Sequence, residues 1–313
     1  MTAIRRVLLA GARGQLGRAL VAAVPDLGDA TSTDLYAPDR RELDLTDLPQ
    51  LRRTLRDFRP HWVINAAAYT AVDQAEQEPE QAFLVNAQAP RAMAEVLAAM
   101  DQPAGRLLQI STDFVFDGAQ GTPYGPEQSA RPLGVYGATK AEGEAAVLAL
   151  LGSQQRVHVL RTSWVYAPWG RNFCLTMLRL LKQRAATGQT LNVVADQVGS
   201  PTSVSGLAAA CWRILELREQ QHLPAILHWS DAGAASWYDF AVAIAERSLE
   251  LGLLEQIPAV LPIPTSLYPT PAQRPSYSLL DCTETRRCLD LYPCHWRKAL
   301  DTVLQQVQAA ARM

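Results

Sequence analysis

Lysine is scarce in this chain: Lys140, Lys182 and Lys298 are the three among 313 residues. Scarcity makes any lysine motif informative. With nine tyrosines, chance would place a Tyr-x-x-x-Lys roughly 0.1 times in a chain of this size, counted as any motif's false-positive risk is counted. Cysteine pairing is missing as well. The five cysteines (Cys174, Cys211, Cys282, Cys288, Cys294) are odd in number and contain no Cys-x-x-Cys, which argues against a zinc site and a disulfide framework. They read as reduced thiols of a cytoplasmic protein. His61, His158, His222, His228 and His295 have no metal-ligand spacing, so no metal is assigned. The net charge of −2 offers no basic field to hold a nucleic-acid backbone. No apolar run is long enough to cross a bilayer. The short one that follows Met1 falls far below a signal-peptide core with its cleavage site. Internal repeats and low-complexity tracts are absent.

What is present fits an ordinary globular protein: 48% apolar residues and 19% charged ones. The length predicts one large or two small domains. Over the first half, strand and helix patterns alternate. Val7–Ala10 reads as a strand, 15–24 as a helix, 30–34 as a weak second strand and 48–58 as an amphipathic helix with Leu48, Leu51, Leu55 and Phe58 on one side. Strands at 62–65, 106–111 and 157–161 follow, with helices at 78–100 (interrupted near Pro90) and 136–151. This alternation predicts an α/β fold, a Rossmann-like doubly wound parallel sheet with helices on both faces.

After about residue 165 the pattern changes. Short strands at 191–194, 225–229 and 260–263 are scattered among helices at 172–184, 206–218, 236–251 and 296–311, and proline is dense from Pro258 to Pro275. The expected division is a dinucleotide-binding domain over 1–165, with later segments contributing. Residues 166–313 then form mainly a smaller mixed α/β substrate-binding lobe.

The segment Gly11-Ala-Arg13-Gly14-Gln15-Leu16-Gly17 follows the first strand and opens the first helix. Glycines there permit a tight turn and let backbone N–H groups approach a pyrophosphate, and the helix N-terminus adds partial positive charge. The spacing is G-x-x-G-x-x-G. Asp34, read as the end of the second strand, is placed to accept hydrogen bonds from an adenosine ribose, which favours NADH. Arg40 and Arg41 can instead pair with a 2′-phosphate, or form a solvated charged loop. The cofactor is therefore NADPH or NADH. Asp44 and Leu45 are placed near the adenine.

Tyr136 and Lys140 lie on one helix face at i and i+4. Ketone reduction needs a hydride donor and a proton donor on the carbonyl oxygen. Tyr136 is the expected proton donor, with Lys140 favouring its phenolate by opposite charge and bringing its pKa toward working pH.

Together these residues carry a family. The glycine pattern, Asn65-Ala66-Ala67-Ala68, Ser111-Thr112-Asp113 and Tyr136-x-x-x-Lys140 resemble extended short-chain dehydrogenases/reductases. The segments 65–76, 111–118, 161–166, 172–173, 196–202, 264–271 and 274–278 narrow this to a resemblance to dTDP-4-dehydrorhamnose reductases, running from about residue 6 to 305. The resemblance implies NAD(P)H-dependent reduction of a 4-keto group on a nucleotide sugar, serving surface polysaccharide synthesis. Within it, Thr112 is expected to hydrogen-bond the same carbonyl oxygen and Ser111 is a weaker candidate; a backbone-capping hydroxyl is the alternative for Thr112. Ala66, Ala67 and Ala68 pack under the cofactor, and Lys140 also holds the nicotinamide ribose. Thr70, Val72 and Asp73 lie near the sugar. Trp164 forms an apolar wall for the deoxyhexose, or is ordinary core. Asn172 and Arg274 contact diphosphate or sugar, with a structural salt bridge as the alternative for Arg274.

Two departures stand out. Phe114 replaces a tyrosine common in the family. Ala19 and Ser205 replace glutamates that bind Mg²⁺ between subunits in some members, which speaks against that ion and that mode of homodimer. Two other readings remain: a non-catalytic regulatory member similar to the regulatory subunit of methionine adenosyltransferase, and a reductase or epimerase of another nucleotide sugar.

Overall fold

The computed structural model describes residues 5–24, 33–101, 103–217 and 222–312. The first half alternates strand and helix: β1 (Arg5–Ala10), α1 (Gln15–Ala23), β2 (Thr33–Tyr36), α2 (Leu48–Phe58), β3 (Trp62–Asn65), α3 (Val72–Ala75), α4 (Pro79–Phe83), α5 (Ala89–Ala98), β4 (Arg106–Thr112), α6 (Val135–Leu151) and β5 (Val157–Thr162). Val7, Leu8 and Leu9 of β1 and all of β3 are fully buried. Such unbroken apolar runs belong to strands covered on both faces.

The second half contributes β6 (Val165–Tyr166), α7 (Phe173–Thr187), β7 (Leu191–Val194), β8 (Val198–Gly199), β9 (Thr202–Ser203), α8 (Val204–Leu217), β10 (Ile226–His228), β11 (Ala235–Ser236), α9 (Trp237–Glu250), β12 (Val260–Ile263), α10 (Thr283–Leu289) and α11 (Trp296–Ala311). Two of these return to the first half. Strand β10 joins the main sheet beside β5, and α8 packs on α1.

The six strands run parallel in the order β10-β5-β4-β3-β1-β2. The chain thus leaves β1 toward β2 on one side, then builds β3, β4 and β5 on the other. That reversal opens a crevice at the carboxyl ends of the strands, where doubly wound sheets hold ligands. Val7, Leu9, Trp62, Ile64 and Leu108 face the α1–α8 layer. Leu8, Val63, Leu107, Val157 and Val159 face α2, α5 and α6. Each fully buried leucine contributes about 2 kcal/mol. A third apolar cluster, with Tyr166, Leu181, Phe240 and Trp296, holds the second lobe together.

The interruption expected near Pro90 is a π-helical turn, Leu84–Gln88, between α4 and α5. Proline has no N–H to give to the carbonyl of Asn86. That carbonyl is covered by α6 at Gly143, where a Cβ would lie 2.1 Å from it. The Asn86 side chain accepts from the Tyr69 N–H at 2.9 Å and donates to the Tyr69 carbonyl and the Thr139 hydroxyl, both at 3.1 Å. The widened turn therefore fixes the 66–70 loop onto helix α6, which carries Tyr136 and Lys140.

Candidate active site

A cavity of about 1090 Å³ opens along the carboxyl ends of the strands. Its floor starts at the glycine turn. Gly11 has φ +84°, and a Cβ there would lie 2.7 Å from the Ala67 nitrogen, so only glycine lets the turn touch the loop after β3. The Gly14 N–H closes the turn on the Gly11 carbonyl at 2.9 Å. Helix α1 then begins with no side-chain cap and no acid in its first turn. Its leading N–H groups and dipole are left to a ligand, which fits a pyrophosphate. Gly17 lies beneath, with a Cβ position 2.1 Å from the Gly11 carbonyl oxygen; it seats the helix on the turn and does not line the cavity. Gly11, Arg13, Gly14, Gln15, Leu16 and the Ala66–Ala68 loop do line it.

Asp34 is not in this site. It is the second residue of β2, opposite Arg6, with Arg6 Nε 3.7 Å from its carboxylate. The strand expected at 30–34 runs from Thr33 to Tyr36; residues 30–32 lie outside the described residues. The carboxyl end of β2 therefore meets the cavity at Pro38, Asp39 and Arg40. Asp39 accepts from the Arg41 N–H at 2.8 Å and faces Arg13 at 3.7 Å. Asp44 and Leu45 line the same end. The Thr46 N–H holds the Asp44 carboxyl below its ordinary range, and Arg40, at 3.6 Å, adds to this.

At the opposite end stand Thr112, Tyr136 and Lys140, all lining the cavity. Glu76 accepts from the N–H of Val135 at 2.8 Å and so anchors the start of α6. The Phe114 ring meets Tyr136 edge-on, centroids 5.6 Å apart. Burial pushes the Tyr136 phenol up to about 12; the Thr112 hydroxyl opposes this and the charge of Asp113 adds to it. The expected lowering by Lys140 is thus corrected: desolvation of the phenolate outweighs every attraction on it. Burial brings Lys140 down to about 8, with Glu144 opposing. The ammonium donates to the Ile110 carbonyl at 2.6 Å. The Thr112 hydroxyl donates to Asp113 at 3.1 Å and accepts from the Phe114 N–H at 3.2 Å. Asp113 itself is fully buried, and desolvation raises it to about 6 against the hydrogen bonds from Ser278 and Thr112. Behind this group Arg161 clamps Glu144 with a 2.7 Å bond, both side chains 4% exposed.

Of the residues expected at the sugar, Thr70, Val72, Ser111, Phe114, Trp164 and Arg274 line the cavity. Asp73 does not; it holds Arg274 in a two-pronged pair at 2.7 and 3.1 Å, the structural salt bridge weighed for that arginine. Asn172 is corrected too. Its Oδ1 caps α7 through the Leu175 N–H at 2.9 Å, and its Nδ2 donates to Gln15 at 2.8 Å. Both polar atoms are committed to the fold, the usual work of an asparagine at a helix start.

Trp164 stacks on Trp237, rings 3.4 Å apart and 5° from parallel. It takes a left-handed φ of 46°, and Gly199 leaves room for its ring, with a Cβ position 2.5 Å from Cε2. Trp237 also lines the cavity and was not foreseen. The Ser236-x-x-Asp239 capping box sets Trp237 at the first turn of α9, but it marks the helix start and not the cavity. Asp39, Asp113 and Arg171 also line the cavity and were not foreseen. At the second departure, Ala19 is buried under α8 and Ser205 is exposed. Among the described residues no cluster of three or more His, Cys, Asp or Glu side chains is arranged for a metal, and no helix is long and apolar enough to cross a membrane.

Residues 5–309 match the family described as RmlD substrate binding domain. A dTDP-4-dehydrorhamnose reductase of Aggregatibacter actinomycetemcomitans is 39% identical over 95% of this chain and 98% of its own length. A probable dTDP-4,6-dihydroxy-2-methyloxan-3-one 4-ketoreductase of Streptomyces antibioticus is also 39% identical, over 97% of this chain and 96% of its own. The crystal structure of a dTDP-4-dehydrorhamnose reductase from Bacillus anthracis, in complex with NADP, superposes with a TM-score of 0.83 at 34% identity, covering 96% of this chain and 99% of that one.

Proposed function

We propose that this chain, which belongs to the dTDP-4-dehydrorhamnose reductase family, reduces the 4-keto group of dTDP-4-dehydro-L-rhamnose to give dTDP-L-rhamnose. It is an NAD(P)H-dependent oxidoreductase of dTDP-rhamnose biosynthesis. When bound, the dihydronicotinamide supplies the hydride. The chain's own residues handle position and proton. Residues 1–165 act as the dinucleotide half, with β10 and α8 added from beyond, and the later lobe holds the sugar nucleotide. The α1 N-terminus and the Ala66–Ala68 loop hold the cofactor.

Tyr136 gives its proton to the developing alkoxide. A phenol raised to about 12 keeps that proton at neutral pH, which is the form a reduction consumes. Lys140, charged below about 8, stabilises the phenolate left behind. Thr112 orients Tyr136 through its hydroxyl. Phe114 and the stacked Trp164–Trp237 pair form apolar walls against the deoxysugar, and Thr70 and Val72 lie beside them. The protein acts in the cytoplasm, in keeping with five free thiols.

The observation that carries this reading is the single cavity shared by the uncapped glycine turn and the Thr112–Tyr136–Lys140 group. The test is loss of reduced-nicotinamide absorbance when purified protein meets dTDP-4-dehydrorhamnose and either cofactor. No loss with either would refute it. The equal identity to the Streptomyces antibioticus protein favours a second reading, the same reduction on another dTDP-4-keto sugar. Rates across such substrates separate the two.

A further inference from the structure

Six cationic side chains line the cavity: Arg13, Arg18, Arg40, Lys140, Arg171 and Arg274. Five have partners. Arg13 faces Asp39, Arg40 faces Asp44, Arg274 is held by Asp73, Lys140 donates to the Ile110 carbonyl, and Arg18 lies over the Trp169 ring at 4.6 Å. Arg171 is the sixth, and among the described residues it meets no ion pair, hydrogen bond or ring contact.

Its location is set by a strap. Residues 169–172 come from the second lobe, between β6 and α7, and are fastened to the first residue of α1. The Trp169 indole donates to the Gln15 carbonyl at 3.2 Å, and Asn172 donates to the Gln15 side chain at 2.8 Å. Between them Gly170 adopts φ +78°, with its Cβ position 3.1 Å from Gln15 Cγ. The strap therefore runs against the end of α1 whose leading N–H groups have no cap, and it presents Arg171 to the cavity there.

We infer that Arg171 is an additional anion-binding residue for the cofactor's pyrophosphate, delivered by the strap to the glycine turn. The inference rests on the nucleotide-binding reading of this cavity. Two physical points support it. The glycine turn offers only N–H dipoles to a group with two negative charges, so a nearby cation adds attraction that dipoles alone do not. An arginine in this place has a planar fork that meets two phosphate oxygens at once. The bonds that the Asn172 amide nitrogen and the Trp169 indole make to Gln15 hold the arginine's backbone at the cradle.

The test uses the whole protein, with ADP-ribose as the probe for the cofactor pyrophosphate and dTDP as the probe for the substrate diphosphate, both titrated calorimetrically. Arg171 is exposed, so Arg171→Ala should leave the fold intact. The expected result is about a tenfold loss of ADP-ribose affinity, the size of one charge-assisted contact. The loss should shrink as salt rises, with dTDP affinity unchanged and partial recovery in Arg171→Lys. Unchanged ADP-ribose affinity overturns the inference. So does a loss confined to dTDP, which would assign Arg171 to the substrate, or an equal loss for both, which would make it a general field effect. Failure of the unaltered protein to bind ADP-ribose would instead refute the nucleotide-binding reading itself.

Discussion

At the β2 end of the cavity the charges are in water. Arg13 and Arg40 are 82% and 78% exposed and sit 3.7 and 3.6 Å from their carboxylates. At the α6 end Tyr136, Lys140 and Asp113 are buried, and burial drives Tyr136 and Asp113 well above and Lys140 well below their ordinary values. Exposed pairs of the first kind contribute about 0.2–1 kcal/mol and weaken with salt. Desolvation at the second end acts at full strength because no solvent screens it. The difference divides the labour. Buried groups fix which proton is held at neutral pH, and that cannot drift without changing the chemistry. Exposed pairs are weak, and small changes suffice to retune them.

The largest expected effect tests the buried end directly. Tyr136→Phe should lower turnover by about 10²–10⁴-fold, the usual range for a positioned general acid, while cofactor affinity stays near that of the unaltered protein. The ring and its edge contact with Phe114 survive, so stability should hardly change. Single-turnover rates together with cofactor titration check this. Turnover close to normal would move the proton donor to water or another group and dissolve the contrast between the two ends.

A second experiment reads the cost of burial itself. Asp113 has a folded-state pKa of about 6 against 3.8 for the free group. Below 3.8 both states hold the proton. Between 3.8 and 6 the unfolded chain has lost it and the folded one has not, so stability falls as pH rises; above 6 the loss is complete. Asp113→Asn carries no such titration. It should therefore be more stable than the unaltered protein near pH 7 by about 2–3 kcal/mol, and the advantage should fade toward pH 4. Denaturant midpoints measured across that window decide it; a difference independent of pH would show that Asp113 is not desolvated.

The two ends also differed in how well the sequence disclosed them. Helix 48–58, strand 62–65, strand 260–263 and helix 296–311 coincide with their observed bounds, because periodic apolar residues marked the helices and short apolar runs the strands. The reacting end was legible for a similar reason: Tyr136 and Lys140 are four residues apart on one helix, and Thr112 closes a buried strand. Strand β2 gave no such signal. Thr33-Asp-Leu-Tyr36 lies at the sheet edge, partly exposed, and carries no apolar run, so its frame slipped and Asp34 was taken for the acid at its end. Trp237 and Arg171 reach the cavity by long-range folding, from α9 and from the strap before α7, which local pattern does not encode. Asn172 misled for another reason. An asparagine before a helix satisfies both a cap and a ligand reading, and only the bonds to Leu175 and Gln15 separate them.

The smallest effect sharpens the exposed end. Asp39 stands at the carboxyl end of β2 and shares the cavity with Arg13 and Arg40. A carboxylate there accepts from a ribose diol and repels a 2′-phosphate. Asp39→Ala removes that acceptor and frees Arg13, so the ratio of kcat/KM for NADPH over NADH should rise about fivefold, on the order of 1 kcal/mol. Raised salt should erode the gain, since the arginines are exposed. Asp34→Ala should leave the ratio unchanged, because that side chain points to Arg6 and not to the cavity. Steady-state kinetics with both cofactors on the two variants give the answer. A shift with Asp34 and none with Asp39 would return the ribose contact to the start of the strand. It would also mean that the mouth of the cavity is built from β2 in a different register.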